Sequence, residues 1–210
     1  MAYGENRIFD DVSFTLDAGE SISITSPSGS GKSTILAIVG LLLTPASGKV
    51  IVEGNDVTGA SDGERSRLRQ STFGFVFQHA QLIGSLRAWE NVAVPARFSD
   101  AADFDAEQRA KRLLVELGLE DRLEHFPYQL SVGQKRRVAV ARALLLEPQV
   151  IIADEPTNDL DGVSAHSVAG KLFEQVERGR SLILVTHDEE LAERTQHQYE
   201  LAGGRLVQLR

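Results

Sequence analysis

The stretch that most constrains this chain is Ser26-Pro-Ser-Gly-Ser-Gly-Lys-Ser-Thr34. Residues 21–25, Ser-Ile-Ser-Ile-Thr, lead into it with the alternation of a strand, and the apolar run 35–43 leads out as a helix. Strand, glycine-rich turn, Lys-Ser-Thr and helix make up the layout of a phosphate-binding P-loop. Its physics is that of an anion site. Consecutive backbone N–H groups curl around phosphate oxygens, and the positive end of the helix points at them. In this layout Lys32 reaches the β- and γ-phosphates and the Ser33 hydroxyl faces Mg²⁺. One position departs from the pattern: Ser26 stands where the first glycine is expected, although Gly29 and Gly31 remain. If that position needs positive φ, a serine is strained there by about 1 kcal/mol or more. If φ is negative, the serine is harmless. The competing reading is an ordinary Gly/Ser turn, so the rest of the chain decides.

Before the loop, residues 12–16 alternate apolar and polar and read as a strand, followed by a turn at Asp17-Ala-Gly-Glu20. Tyr3 precedes both and reads as a partly buried strand aromatic. After the loop, 49–54 read as a strand and turn, 64–70 as a basic helix, and Phe73-Gly-Phe-Val-Phe77 as a buried strand. Gln78 follows that strand. The C-terminal ends of strands are where α/β sheets place ligand-contacting groups. Residues 86–123 change to helical texture. A short segment stops at Pro95, and Asp103 or Asp105 caps a helix whose Ala106, Ala110, Leu113, Leu114 and Leu117 share one face before Gly118 closes it. Ser131-Val-Gly-Gln134 fits a capping box, opening a helix that runs through Arg136, Arg137 and Arg142 to Leu146.

The run Val150-Ile-Ile-Ala-Asp154-Glu155 is wholly apolar until it ends in two carboxylates. Such a run indicates a strand covered on both faces, as in a parallel sheet. Carboxylates at its end must be solvated, paired or bound to a metal. A helix over 163–177 and a second apolar strand, 181–186, follow, the latter ending at His187. A short helix over 188–194 and a hairpin over 199–209, turned by Gly203-Gly204, close the chain.

The 210 residues can bury a full core. The net charge of −8 argues against a nucleic-acid partner, and zero cysteines exclude disulfides and thiolate metal sites. No signal peptide is visible, and the run 35–43 falls far short of the roughly 20 residues that span a bilayer. A cytoplasmic protein that cannot itself cross a membrane is expected.

Taken together, the motifs resemble those of the nucleotide-binding ATPase subunit of an ABC transporter, over essentially the whole chain and in the family's order. Ser26 to Thr34 is similar to Walker A, Gln78 to the Q-loop, and Leu130-Ser-Val-Gly-Gln134 to the signature LSGGQ. Ile151-Ile-Ala-Asp-Glu-Pro-Thr157 is similar to Walker B, Asp159-Leu-Asp161 to the D-loop, and His187 to the switch histidine. Phe75-Val-Phe-Gln78, Glu90-Asn-Val-Ala-Val-Pro95 and 154–161 resemble the MacB/LolD type in particular.

The resemblance implies an α/β P-loop NTPase fold: a RecA-like core with a parallel sheet, an N-terminal antiparallel β subdomain and an inserted helical subdomain. It implies one domain over 1–210, with 1–85 and 147–210 as catalytic core and 86–146 as the helical part. It implies ATP and Mg²⁺ as cofactors. Tyr3 would stack on adenine; Ser28, Gly29, Ser30, Gly31, Lys32, Ser33 and Thr34 would bind the phosphates. Ser33, Gln78 and, through a water, Asp154 would hold Mg²⁺. Glu155 would be the general base, His187 would hold the γ-phosphate and the water geometry, and Gln78 would sense the γ-phosphate. Ser131, Gly133 and Gln134 would act on ATP bound by a second copy in a head-to-tail dimer. The implied partner is a separate membrane permease, holding the subunit on the inner face of the cell membrane. Export of the MacB/LolD type is the function implied. Mechanical signalling of the FtsE kind, without transported cargo, and a non-transport ABC ATPase are the alternatives; a non-ABC P-loop kinase or GTPase leaves 130–134 unexplained. Val132 is a second departure, standing where the signature has its first glycine. The capping box puts it at the first helical position, where φ is negative and a β-branched residue is tolerated, but its side chain is expected to crowd the phosphate bound in trans.

Overall fold

The computed structural model describes residues 2–3, 6–7, 9, 11–26, 31–99 and 105–210. Near the start, β1 (Ala2–Tyr3) and β2 (Asn6–Arg7) pair antiparallel. β3 (Ser21–Thr25) leads to α1 (Lys32–Val39). A hairpin of β4 (Ile51–Val52) and β5 (Asn55–Asp56) turns through Glu53 and Gly54, both at positive φ. α2 (Asp62–Thr72) starts on a Ser61–Glu64 capping box and feeds β6 (Phe73–Val76). Then come α3 (Ala88–Ala93), a 3-10 turn (Val94–Phe98), α4 (Ala106–Glu116) and α5 (Val132–Leu144). The chain closes with β7 (Val150–Asp154), α6 (Gly162–Glu177), β8 (Ser181–Val185), α7 (Glu189–Glu193), β9 (His197–Ala202) and β10 (Arg205–Gln208).

Six strands form one sheet in the order β10-β9-β3-β8-β7-β6. All neighbours are parallel except the terminal hairpin of β9 and β10. Parallel strands must be covered on both faces, and alternation along β7 and β8 shows how. Ile151, Ala153, Leu182 and Leu184 face a core shared with α3, α4, α5 and α6. Ile152, Ile183 and Val185 face the opposite core, shared with Ile35 and Leu36 of α1 and Ile22 and Ile24 of β3. The apolar runs are therefore not one-sided strands but the middle layer of three. Every chain crossing from β3, β6, β7 or β8 leaves at the same edge of the sheet, which is where the sequence places its polar motifs.

Several boundaries differ from expectation, each for a physical reason. Residues 12–16 form no strand: Asp11 makes one isolated bridge to Arg205, and the stretch beyond it joins no ladder. Its alternation survives as burial, since Val12, Phe14 and Leu16 pack on the α1-side core while Ser13 and Thr15 are exposed. Period-2 burial needs an extended chain lying on a core, not a hydrogen-bonded partner. α1 stops at Val39 rather than continuing to 43. A Cβ on Gly40 would stand 2.4 Å from Phe75 Cε1, so the helix end lies against β6, and Leu41 turns away at φ 59°. Pro95 does not end its segment; it occupies the first turn of the 3-10 helix, where its missing N–H costs nothing. α4 is capped by Asp105, whose side chain accepts from Gln108 N, and Gly118 follows it at φ 67°. Asp103 lies outside the described residues. α5 ends at Leu144, two residues short of the expected limit.

Candidate nucleotide site

Gly31 is the N-cap of α1 at φ 100°, a conformation open to glycine, and no side chain caps the helix. Lys32, Ser33 and Thr34 form its first turn, so their backbone N–H groups lie at the positive end of the helix. Lys32 Nζ donates to Ser26 O, folding the lysine over its own loop. Ser26 is not among the described non-glycine residues with positive φ, so the serine is the harmless variant of the departure from the pattern. The expectations on Ser28, Gly29 and Ser30, and on the side chain of Tyr3, lie outside the described residues.

The C-terminal ends of β7 and β8 supply the acidic and basic groups. Ser33 Oγ donates to Asp154 Oδ2 at 2.8 Å, joining the P-loop helix to β7. Burial pushes the Asp154 carboxyl above the usual carboxylate range; the Ser33 hydroxyl pulls it down, Glu155 adds to the rise, and Lys32 and Arg136 oppose it. A hydroxyl and a desolvated carboxylate side by side are hard oxygen donors whose charge is under-compensated, which fits a divalent cation such as Mg²⁺.

Glu155 is buried, at 8% exposure, and sits at φ 46°, a left-handed conformation costing about 1–2 kcal/mol for a residue with a Cβ. The strain is held from several sides. Glu155 N donates to Val185 O at 2.8 Å, extending the β7–β8 pairing by one bond. His187 grips the side chain twice: its ring Nδ1 lies 2.9 Å from Oε2 and its backbone N donates to the same oxygen at 3.3 Å. Among the described residues no hydrogen bond is recorded to Oε1 of Glu155. The carboxylate is thus fixed by one oxygen and offers the other.

Gln78 is exposed just past β6, next to β7 in the sheet. It makes no recorded hydrogen bond to Asp154, Glu155 or His187 among the described residues. The residue before it, Phe77, is tied to Glu155 through Arg136, which the sequence had offered only as one of several helix arginines. Arg136 Nη1 donates to both Phe77 O and Glu155 O at 3.1 Å.

The signature stretch stands apart. Ser131 is the N-cap of α5; its Oγ accepts from Gln134 N at 3.2 Å, and Gln134 Oε1 accepts from Ser131 N at 2.9 Å, the expected capping box. Val132 is the first helical residue, as expected, and is 59% exposed. Gly133 is buried: a Cβ there would stand 2.6 Å from Ser164 Oγ on α6. No recorded hydrogen bond connects Ser131, Gly133 or Gln134 to the P-loop, among the described residues.

A parallel sheet that gathers a glycine-rich loop, Ser33 with Asp154 and a fixed Glu155 at one edge defines a P-loop nucleotide-binding domain. The family model described as ABC transporter matches residues 9–158, and the chain belongs to the ABC transporter family, as an ATP-binding ATPase domain of it. The Macrolide export ATP-binding/permease protein MacB of Burkholderia pseudomallei is 44% identical over 200 residues, covering 95% of this chain and 31% of that protein. The Lipoprotein-releasing system ATP-binding protein LolD of Aquifex aeolicus is 44% identical over 201 residues, covering 96% of this chain and 90% of that protein. Among solved structures, a dimeric post-hydrolysis state of an ATP-binding cassette bound to ADP and Pi has a TM-score of 0.92 at 35% identity, covering 100% of this chain and 95% of that one. The chain thus spans less than a third of its MacB relative but most of its LolD relative. No helix among the described residues is long and apolar enough to cross a membrane.

Proposed function

We propose that this chain hydrolyses ATP within a head-to-tail dimer and drives a separate membrane permease in export of the MacB or LolD type. One observation carries the reading. Ser33–Asp154 and Glu155–His187 stand together at one sheet edge, while the capped N-terminus of α5 makes no hydrogen bond to the phosphate loop of its own chain among the described residues. The first group is a site lacking a cover, and the second is a cover lacking a site. The dimeric state and the ADP and Pi of the solved relative support joining them across two copies.

In this reading the P-loop N–H groups and Lys32 hold the phosphates. Oε1 of Glu155 accepts a proton from the water attacking the γ-phosphorus, and the bond to the bridging oxygen breaks with its electrons leaving on ADP. His187 fixes the Glu155 carboxylate so that the water is met without reorganisation. Ser33, Asp154 and Gln78 are the groups that would hold Mg²⁺, which when bound neutralises charge developing on the phosphate oxygens. The second copy adds the Ser131 hydroxyl and the free N–H groups at the start of its α5, again a helix N-terminus facing phosphate. Tyr3, Ser28, Gly29 and Ser30 complete the nucleotide contacts. Residues 86–146 act as the helical part that moves against the core of 1–85 and 147–210 and passes that motion to the permease, which keeps the subunit at the inner face of the membrane.

Glu155→Gln keeps the shape of the site and removes the base, so it should trap the dimer. With ATP and Mg²⁺ the variant is expected to elute as a dimer in size-exclusion chromatography and with ADP as a monomer. A monomer under both conditions would overturn the mechanism.

A further inference from the structure

Three arginines of α5 hold backbone carbonyls of loops. Arg142 donates to Ala80 O at 2.8 Å and Gln81 O at 3.0 Å, and Arg137 donates to Leu117 O at 2.9 Å. Arg136 differs in having partners on two loops of the nucleotide site, the carbonyl just before Gln78 and the carbonyl of Glu155 itself. It is only 4% exposed. Burial lowers its pKa, and the charges of Asp159, Asp154 and Glu155, at and beyond the end of β7, pull it back up. An arginine placed this deep is costly unless its donors are used, and here one guanidinium nitrogen serves two carbonyls.

We infer that Arg136 is a positioning residue for hydrolysis, fastening the signature helix to the backbone of Glu155 and to the Gln78 loop. Glu155 is the strained residue of the site, and Arg136 grips its carbonyl while His187 grips its carboxylate. Arg136 also lies five positions after the Ser131 cap on the same helix, so a shift of the capped end moves the guanidinium with it. Such a rigid element with a hydrogen bond into each of two loops is a physical route from the face that meets the second copy to the base of the chain's own site. The alternative is that Arg136 only stabilises the packing of α5, and the two roles separate experimentally.

The inference rests on the proposed function, and its test keeps the two apart. Arg136→Gln and Arg136→Lys are made alone and in the Glu155→Gln background. Steady-state ATP hydrolysis, affinity for a fluorescent ADP analogue and ATP-dependent dimerisation are measured. Arg136→Gln should lower kcat at least tenfold with ADP affinity within twofold of the parent. Arg136→Lys, which retains the charge and a shorter donor, should fall less. The Glu155→Gln, Arg136→Gln double variant should still form the ATP-trapped dimer, because the cap of α5 is untouched. Unchanged kcat in both single variants would overturn the inference. So would loss of ADP binding or of the trapped dimer together with kcat, since that pattern belongs to a packing role. Failure of Glu155→Gln alone to dimerise strikes the proposed function instead.

Discussion

The ends of β7 and β8 and the beginning of α5 are both polar and are organised in opposite ways. At the strand ends the polar groups hold one another. Asp154 is held by Ser33 and Glu155 by His187, with Glu155 nearly excluded from water. At the helix start, Ser131 and Gln134 hold only the helix, Ser131 exposed and Gln134 half-buried. The strand ends are preorganised at the expense of backbone strain, which is how a group is kept ready for a transition state. The helix start keeps its geometry through capping alone and presents the remaining N–H groups outward, which suits a ligand arriving from elsewhere. In the proposed dimer, a bond network suits a half that must not reorganise, and a capped free end suits a half that must bind and let go.

The largest effect is expected where the preorganised half is broken. His187→Ala removes the ring donor from Oε2 while leaving the backbone N–H in place, so Glu155 is held by one contact where there were two. With Glu155 as the proposed base, loosening it costs about 10²-fold in kcat when the displacement approaches an ångström. Steady-state ATP hydrolysis checks this, and ADP affinity should stay near the parent value because ADP lacks the γ-phosphate that His187 would contact. A kcat within a few-fold of the parent would show that the strand ends are not held in the way the hydrogen bonds suggest.

A smaller effect is expected at the helix start. Gly133 has no room: an added Cβ would meet Ser164 Oγ at 2.6 Å and Ser164 Cβ at 3.0 Å. Gly133→Ala should therefore push α5 from α6 and destabilise the fold by about 1–3 kcal/mol, the usual cost of overpacking. A thermal melt should show Tm lower by several degrees, and the ATP-trapped dimer of the Glu155→Gln background should weaken as the cap shifts. A melt identical to the parent would mean that the two helices separate freely, and the helix start would then be looser than its burial indicates.

These contrasts also explain what was legible in the sequence. β7 and β8 could be read because a strand buried on both faces must be apolar throughout, and Asp154, Glu155 and His187 stood out as the polar residues that end such runs. The capping box of Ser131 and Gln134 was readable because its physics is local, confined to four residues. Residues 12–16 misled because alternation reports burial, and whether an extended chain also pairs depends on a partner strand distant in sequence. Arg136 was visible only as a basic helix residue. Its meaning lies in Phe77 and Glu155, which are 59 and 19 positions away, and no periodicity encodes such contacts. The positive φ of Glu155 was equally hidden, since nothing local demands it.

The smallest effect is expected at Val132, and its value lies in its sign. Val132 and Gly133 are neighbours, yet the exposed position carries the branched side chain and the buried one carries none. The fold therefore explains why Gly133 is glycine but leaves Val132 free, so any consequence of the valine must come from what approaches the helix start. If a phosphate of the second copy lies there, the branched side chain narrows its approach. Val132→Gly should then raise turnover about two- to fivefold, equivalent to roughly 0.5–1 kcal/mol. The same change should lower thermal stability slightly, by a few tenths of a kcal/mol, because glycine has a lower helix propensity than valine. Turnover rising while Tm falls is a pair of signs that packing alone does not produce. If turnover is unchanged or falls with Tm, the valine crowds nothing, and the helix start serves its own fold more than a partner's ligand.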